Sequence, residues 1–144
     1  AHALHMLRFE PTPGGAFERV IIHEATHVLT HHAWGPAGTP LFGEGVAVYI
    51  SGEYGGTKLD EWAKRLDAAP PITELLGPGF RSRPETEMYP IAGLLVAAAV
   101  ERIGLDGVRE HLFGATSQSW SEACERAGID DDALAAALTD AIAR

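Results

Sequence analysis

The stretch "RVIIHEATHVLTHH" sets His23 and His27 four residues apart, with Glu24 directly after the first. On a helix each residue advances roughly 100°, so positions four apart lie about 40° from one another and leave the same face one turn apart. Two imidazoles arranged this way reach a single ion at about 2.0–2.1 Å each. Glu24 projects roughly 100° away from His23, beside such an ion and not onto it, where a carboxylate can take a proton from an activated water. A hydrolytic zinc site needs a third protein ligand and keeps its fourth position for water. Glu44 in "LFGEGVAVYISG" is the candidate. Cys124 is the only cysteine, so thiolates cannot form the site and any metal must use histidine and carboxylate.

The elements that would position these groups follow from apolar spacing. From Ala16 to about His32, Phe17, Val20, Ile21, Val28 and Leu29 recur at helical intervals, and "WGPAGTP" stops the helix. The loop breaks the chain direction at Gly35, Pro36, Gly38 and Pro40, so a second helix over "LFGEGVAVYIS" can return Glu44 to the histidine pair. Gly43 and Gly45 flank that glutamate and are expected to let the two helices approach closely around the ion. Valines, Tyr49 and two glycines leave a strand open for this segment. "TKLDEWAKRLDAA" reads as an amphipathic helix capped by Thr57, "ITELLG" as a short helix and "PGFRSRPE" as a loop. A long buried helix is predicted from about Glu85 to Ile103, ended by Gly104, with three short helices after it over "LDGVREHLFG", "SWSEACERAG" and "DDDALAAALTDAIAR". The opening "AHALHMLRFE" alternates enough to predict a short strand, ended by "PTPGG". The expected fold is a mainly α, single compact domain over residues 1–144, with at most a small sheet near its N-terminus.

Composition narrows the partners. A net charge of -9, with eleven scattered Lys and Arg, offers nothing to neutralise a run of phosphates and argues against nucleic acid. The longest apolar run, "IAGLLVAAAV", is about half of the roughly 20 residues a membrane span requires, so it is a buried helix and no span is expected. No export signal is recognisable, yet a chain beginning at Ala1 is compatible with one having been removed, so cytoplasmic and secreted locations both stay open, as does the oligomeric state. Cys124, in an amphipathic segment without a nearby histidine, is expected to be a small buried residue. His2, His5, His32 and His111 are expected as surface or core groups, whereas His31 continues the His23–His27 face and is either a support or substrate contact or a surface group.

Together, "FERVIIHEATHVLTH" and "TPLFGEGVAVYISG" resemble the gluzincin metallopeptidases, in particular the small peptidase MA-like domains. Their pattern runs HExxH and then Pro-x-x-x-Glu-Gly-x-Ala-x-Tyr, matched here by Pro40, Glu44, Gly45, Ala47 and Tyr49. The likeness continues into "MYPIAGLLVAAAVERIGLDGVREHLFG" and covers most of the chain from Phe17 onward. It implies a zincin-like helical domain with His23, His27 and Glu44 as zinc ligands, Glu24 as general base, and Tyr89, at a helix start, steadying the oxyanion. Two departures stand out. Gly45, Val46, Ala47 and Val48 follow Glu44 where many gluzincins carry an acidic residue that orients a zinc-binding histidine, leaving that task to another group such as a backbone carbonyl. Only 22 residues precede His23, where family members commonly have a larger part whose edge strand grips extended peptide; "HALHMLRF" is the candidate for it.

The function expected is a zinc-dependent metallopeptidase with Zn²⁺ as cofactor and a peptide or protein as substrate. The alternatives are a zinc hydrolase or lyase acting on a small molecule, which the short N-terminal part motivates, and a non-catalytic zincin-fold binding module. The intact Glu24 speaks against the last, since structural zinc has no use for a carboxylate there.

Overall fold

A computed structural model describes residues 16–143. The strand predicted over "AHALHMLRFE", and with it His2 and His5, lies outside the described residues. Those described are mainly helical: α1 (Ala16–Trp34), α2 (Pro40–Ser51), a hairpin of β1 (Glu53–Tyr54) and β2 (Thr57–Lys58), α3 (Leu59–Arg65), α4 (Ile72–Leu75), α5 (Gly79–Ser82), α6 (Glu85–Gly107), α7 (Trp120–Ala127) and α8 (Asp131–Ala143). A π-helical turn, Val108–Leu112, follows α6.

The start of α2 is coded locally. Thr39 is extended and its hydroxyl accepts from the Phe42 N–H, while Pro40 takes the first helical position, where its missing N–H costs nothing. The helical alternative therefore holds for "LFGEGVAVYIS". Its buried residues Leu41, Phe42 and Val46 pack into one continuous core with Met88, Ile91, Leu95 and Val96 of α6, Trp120 and Cys124 of α7, and Leu134 and Leu138 of α8. Cys124 is buried as expected, and burial, with Asp131 and Asp130 nearby, pushes its thiol up to about 11, which keeps it protonated at neutral pH.

Gly45 and Gly93 are the contact points between α2 and α6. A Cβ on Gly45 would lie 2.7 Å from the Ala92 carbonyl oxygen, and one on Gly93 would lie 2.5 Å from Val48 Cγ1. This corrects the expectation that Gly45 makes room for the histidine helix. The close approach it permits is to α6, and Gly43 meets only Ala37 Cβ of the preceding loop, at 3.3 Å.

Two local expectations change. The described residues carry a two-stranded sheet at 53–58: Glu53 pairs with Lys58 and Tyr54 with Thr57 around Gly55 and Gly56, both at positive φ. Such a two-glycine turn matches the twist of an antiparallel pair. Thr57 is consequently a strand residue, and α3 begins two residues later without a side-chain cap. "PGFRSRPE" is not wholly loop, because Gly79–Ser82 forms a helical turn pinned by buried Phe80. Gly104 does interrupt the long helix, with non-helical φ 73° and ψ 168°. Among the described residues, no helix is long and apolar enough to cross a membrane.

Candidate metal centre

The five residues between α1 and α2 are tied down at both sides. Trp34 packs edge-on against Phe113, with ring centroids 5.2 Å apart, and the Gly38 N–H donates to the Phe113 carbonyl at 2.9 Å. From this turn α2 carries Glu44 to the histidine face of α1. Glu44 Oε2 lies 3.2 Å from His23 Nε2 and 3.1 Å from His27 Nε2, and the two nitrogens are 3.2 Å apart. The three sequence-predicted ligands thus form a nearly equilateral triangle, largely withdrawn from solvent.

Three electron-rich atoms at such spacing need a shared positive centre. Without an ion, protons serve. Hydrogen bonding to Glu44, partly opposed by burial, raises His27 above the usual histidine value, with the charges of Glu44 and Glu24 adding to it. Burial works to raise Glu44, but the hydrogen bonds from His23 and His27 outweigh it and bring the carboxyl down to about 2. A divalent ion answers the same need. Four-coordinate bonds of about 2.0–2.1 Å put ligand atoms roughly 3.3–3.4 Å apart, close to the 3.1–3.2 Å edges of the triangle.

A cavity of about 630 Å³ opens beside His23. Glu24 and Tyr89 line it, together with Val20, Tyr54, Trp62 and Glu85. Glu24 is therefore on the open side of the triangle and outside it, as its offset from His23 predicts. The Tyr89 ring lies parallel to that of His23 within 6° at 6.4 Å and parallel to that of Phe80 within 9° at 6.0 Å. Burial and the Glu44 charge push its hydroxyl up to about 12, so it holds its proton at any working pH.

His31 is exposed and lines a separate recess of about 120 Å³ with His27, Gly43 and Phe113. It does not join the triangle. His32 is exposed, and His111 lies 3.9 Å from Glu110, outside the site.

Two charged groups at the site escape sequence reasoning. Arg81, on α5, donates from Nη1 to the Tyr89 hydroxyl oxygen at 3.0 Å, and its Nη2 lies 3.8 Å from Glu44 Oε1. Glu53, only 8% exposed, pairs with Arg19, one turn before His23. The buried carboxylate after Glu44 thus belongs to β1 and engages an arginine of the histidine helix. No carboxylate among the described residues other than Glu44 contacts either imidazole of the triangle. "EYGGTK" carried a hairpin signal that would have placed Glu53 on a strand; nothing in "GFRSRPE" marks Arg81. Compared with protein-family models, curated proteins and solved structures, the chain has no match in any of the three.

Proposed function

We propose that this chain is a zinc metallopeptidase of the gluzincin type, with a zincin-like helical domain, that hydrolyses peptide bonds. The observation that carries the reading is the His23–His27–Glu44 triangle, whose edges suit a tetrahedral ion, with Glu24 and Tyr89 on the walls of one adjoining cavity. Three protein ligands leave a fourth position, the arrangement of catalytic and not of structural zinc. Zinc held there supplies a water acidified toward about pH 7 and a Lewis acid for the scissile carbonyl.

The remaining work falls to the chain. The Glu24 carboxylate accepts a proton as the nucleophile forms and returns it to the leaving nitrogen, a shuttle typically worth about 10²–10⁴-fold. Tyr89, protonated throughout, donates its hydroxyl to the oxygen on which charge develops. Tyr54, its ring centroid 5.3 Å from that of Tyr89 and 6.3 Å from that of Trp62, walls the cavity together with them, and the three exclude water from an occupying side chain.

The test has two stages. Metal analysis of the purified chain should give one zinc per molecule, lost in His23→Ala. A peptide library incubated with the loaded protein should be cleaved, and Glu24→Gln should keep the zinc while abolishing turnover. A loaded protein that cleaves no peptide refutes the peptidase reading and favours a small-molecule substrate. Full activity in Glu24→Gln refutes the general-base role.

A further inference from the structure

We infer that Arg81 is a positioning residue that fixes two parts of the site at once, the free oxygen of Glu44 and the direction of the Tyr89 hydroxyl proton. The inference rests on the metallopeptidase reading above and adds a group that the HExxH and glutamate elements do not contain.

Glu44 presents Oε2 to both imidazoles, while Oε1 faces the Arg81 guanidinium at 3.8 Å. A carboxylate with one oxygen held beside a permanent cation has less tendency to swing both oxygens onto an ion. One-oxygen binding keeps the fourth position open, which catalysis requires. The second contact concerns Tyr89. A phenolic oxygen has one O–H to give and lone pairs to accept with. Arg81 Nη1, 3.0 Å away, fills an acceptor site on that oxygen, so the Tyr89 proton turns away from Arg81, toward the cavity that Tyr89 lines with His23 and Glu24. A cationic donor also polarises the O–H and strengthens it as a donor in its turn. Only a forked, planar group meets both partners from one residue, and the guanidinium has that shape.

Its placement is structural. Phe80, the preceding residue, is 2% exposed and stacks on Tyr89, so the backbone of α5 is anchored to the core beside the ring that Arg81 serves. The side chain itself is half exposed, and its removal leaves the core untouched.

The experiment compares wild type, Arg81→Met, Tyr89→Phe and the double variant in the full chain, loaded first with cobalt(II) and then with zinc. In the cobalt proteins, wild type should show intense four-coordinate visible absorption, and Arg81→Met a weaker, shifted band as Glu44 chelates with both oxygens. In the zinc proteins, Arg81→Met should lower kcat on a cleaved peptide by about 10- to 100-fold with KM little changed. The same substitution in the Tyr89→Phe background should lose most of that effect, because its route through the hydroxyl is gone. A cobalt spectrum unchanged in Arg81→Met, or kcat losses that simply multiply in the double variant, overturns the positioning role while leaving the metal reading intact. A wild-type chain that takes up no cobalt overturns both.

Discussion

Replacing Gly45 by alanine tests whether the α2–α6 contact sets the position of Glu44. A methyl at residue 45 meets the Ala92 carbonyl oxygen at 2.7 Å and Val96 Cγ2 at 2.9 Å, well inside the roughly 3.5–4.0 Å of an optimal carbon contact. The Ala92 carbonyl is part of the α6 backbone and cannot rotate aside, so the helices must part by several tenths of an ångström. Overpacking of this kind costs about 1–3 kcal/mol. Gly43→Ala is the internal control, since its methyl meets only Ala37 Cβ, at 3.3 Å, a side-chain contact and not a helix backbone. Both substitutions sit in the same helix and gain similar helix propensity, about 1 kcal/mol over glycine, so their difference isolates the steric cost. Urea unfolding of the chelated proteins, followed by far-UV circular dichroism, should place Gly45→Ala about 1–3 kcal/mol below Gly43→Ala. Because ligand distances tolerate only about 0.2 Å, the shift of α2 should also weaken zinc binding in Gly45→Ala, on the order of tenfold. Coincident unfolding curves for the two variants would refute the reasoning, since the contact at Gly45 would then be yielding and α2 would be placed by something else.

Four further outcomes follow from the site. Tyr89→Phe should lower kcat by about 10²–10³-fold with metal content unchanged, and steady-state kinetics showing a loss confined to KM would remove Tyr89 from the chemistry. Zinc affinity measured by chelator competition should fall as pH drops through the raised His27 value, above 6.5, by about tenfold per pH unit for each displaced proton. In the metal-free chain the sign reverses: the raised His27 stabilises below 6.5 and loses its effect as pH rises through its folded value, while the lowered Glu44 stabilises above 4.5 and loses its effect as pH falls toward about 2, so the pair contributes most between 4.5 and 6.5. A metal-free stability profile with no rise in that window contradicts the hydrogen-bonded pair. Arg19→Met strands the buried Glu53 and should cost about 1–3 kcal/mol in thermal or denaturant unfolding; an unchanged midpoint would mean that the hairpin does not brace the histidine helix.

The His23–His27 face was legible in the sequence because it depends on one local quantity, the angular step of a helix, and the apolar spacing from Phe17 to Leu29 already declared that helix. The start of α2 was equally local, written in Thr39 and Pro40, although the sequence left a strand open there. Glu44 as the candidate third ligand followed from the need for a carboxylate and from a loop able to reverse the chain; its 3.1 and 3.2 Å distances to the imidazoles are a tertiary fact. Other features depend on which surfaces meet, and no short-range pattern records that. Gly45 looked like room for the ion but serves the contact with α6, because it points to Ala92 and Val96 while the neighbouring Glu44 points to α1. Arg81, in a polar segment without periodicity, acquires a role solely because α5 is pinned beside Tyr89 by Phe80. Glu53 lies nine residues beyond Glu44 in sequence, and the tertiary fold alone pairs it with an arginine one turn before His23. Sequence thus determined the donor types and their local geometry, whose energies are set within a turn of helix; the folded chain decided which distant groups support them, since those contacts exist only once the helices have packed.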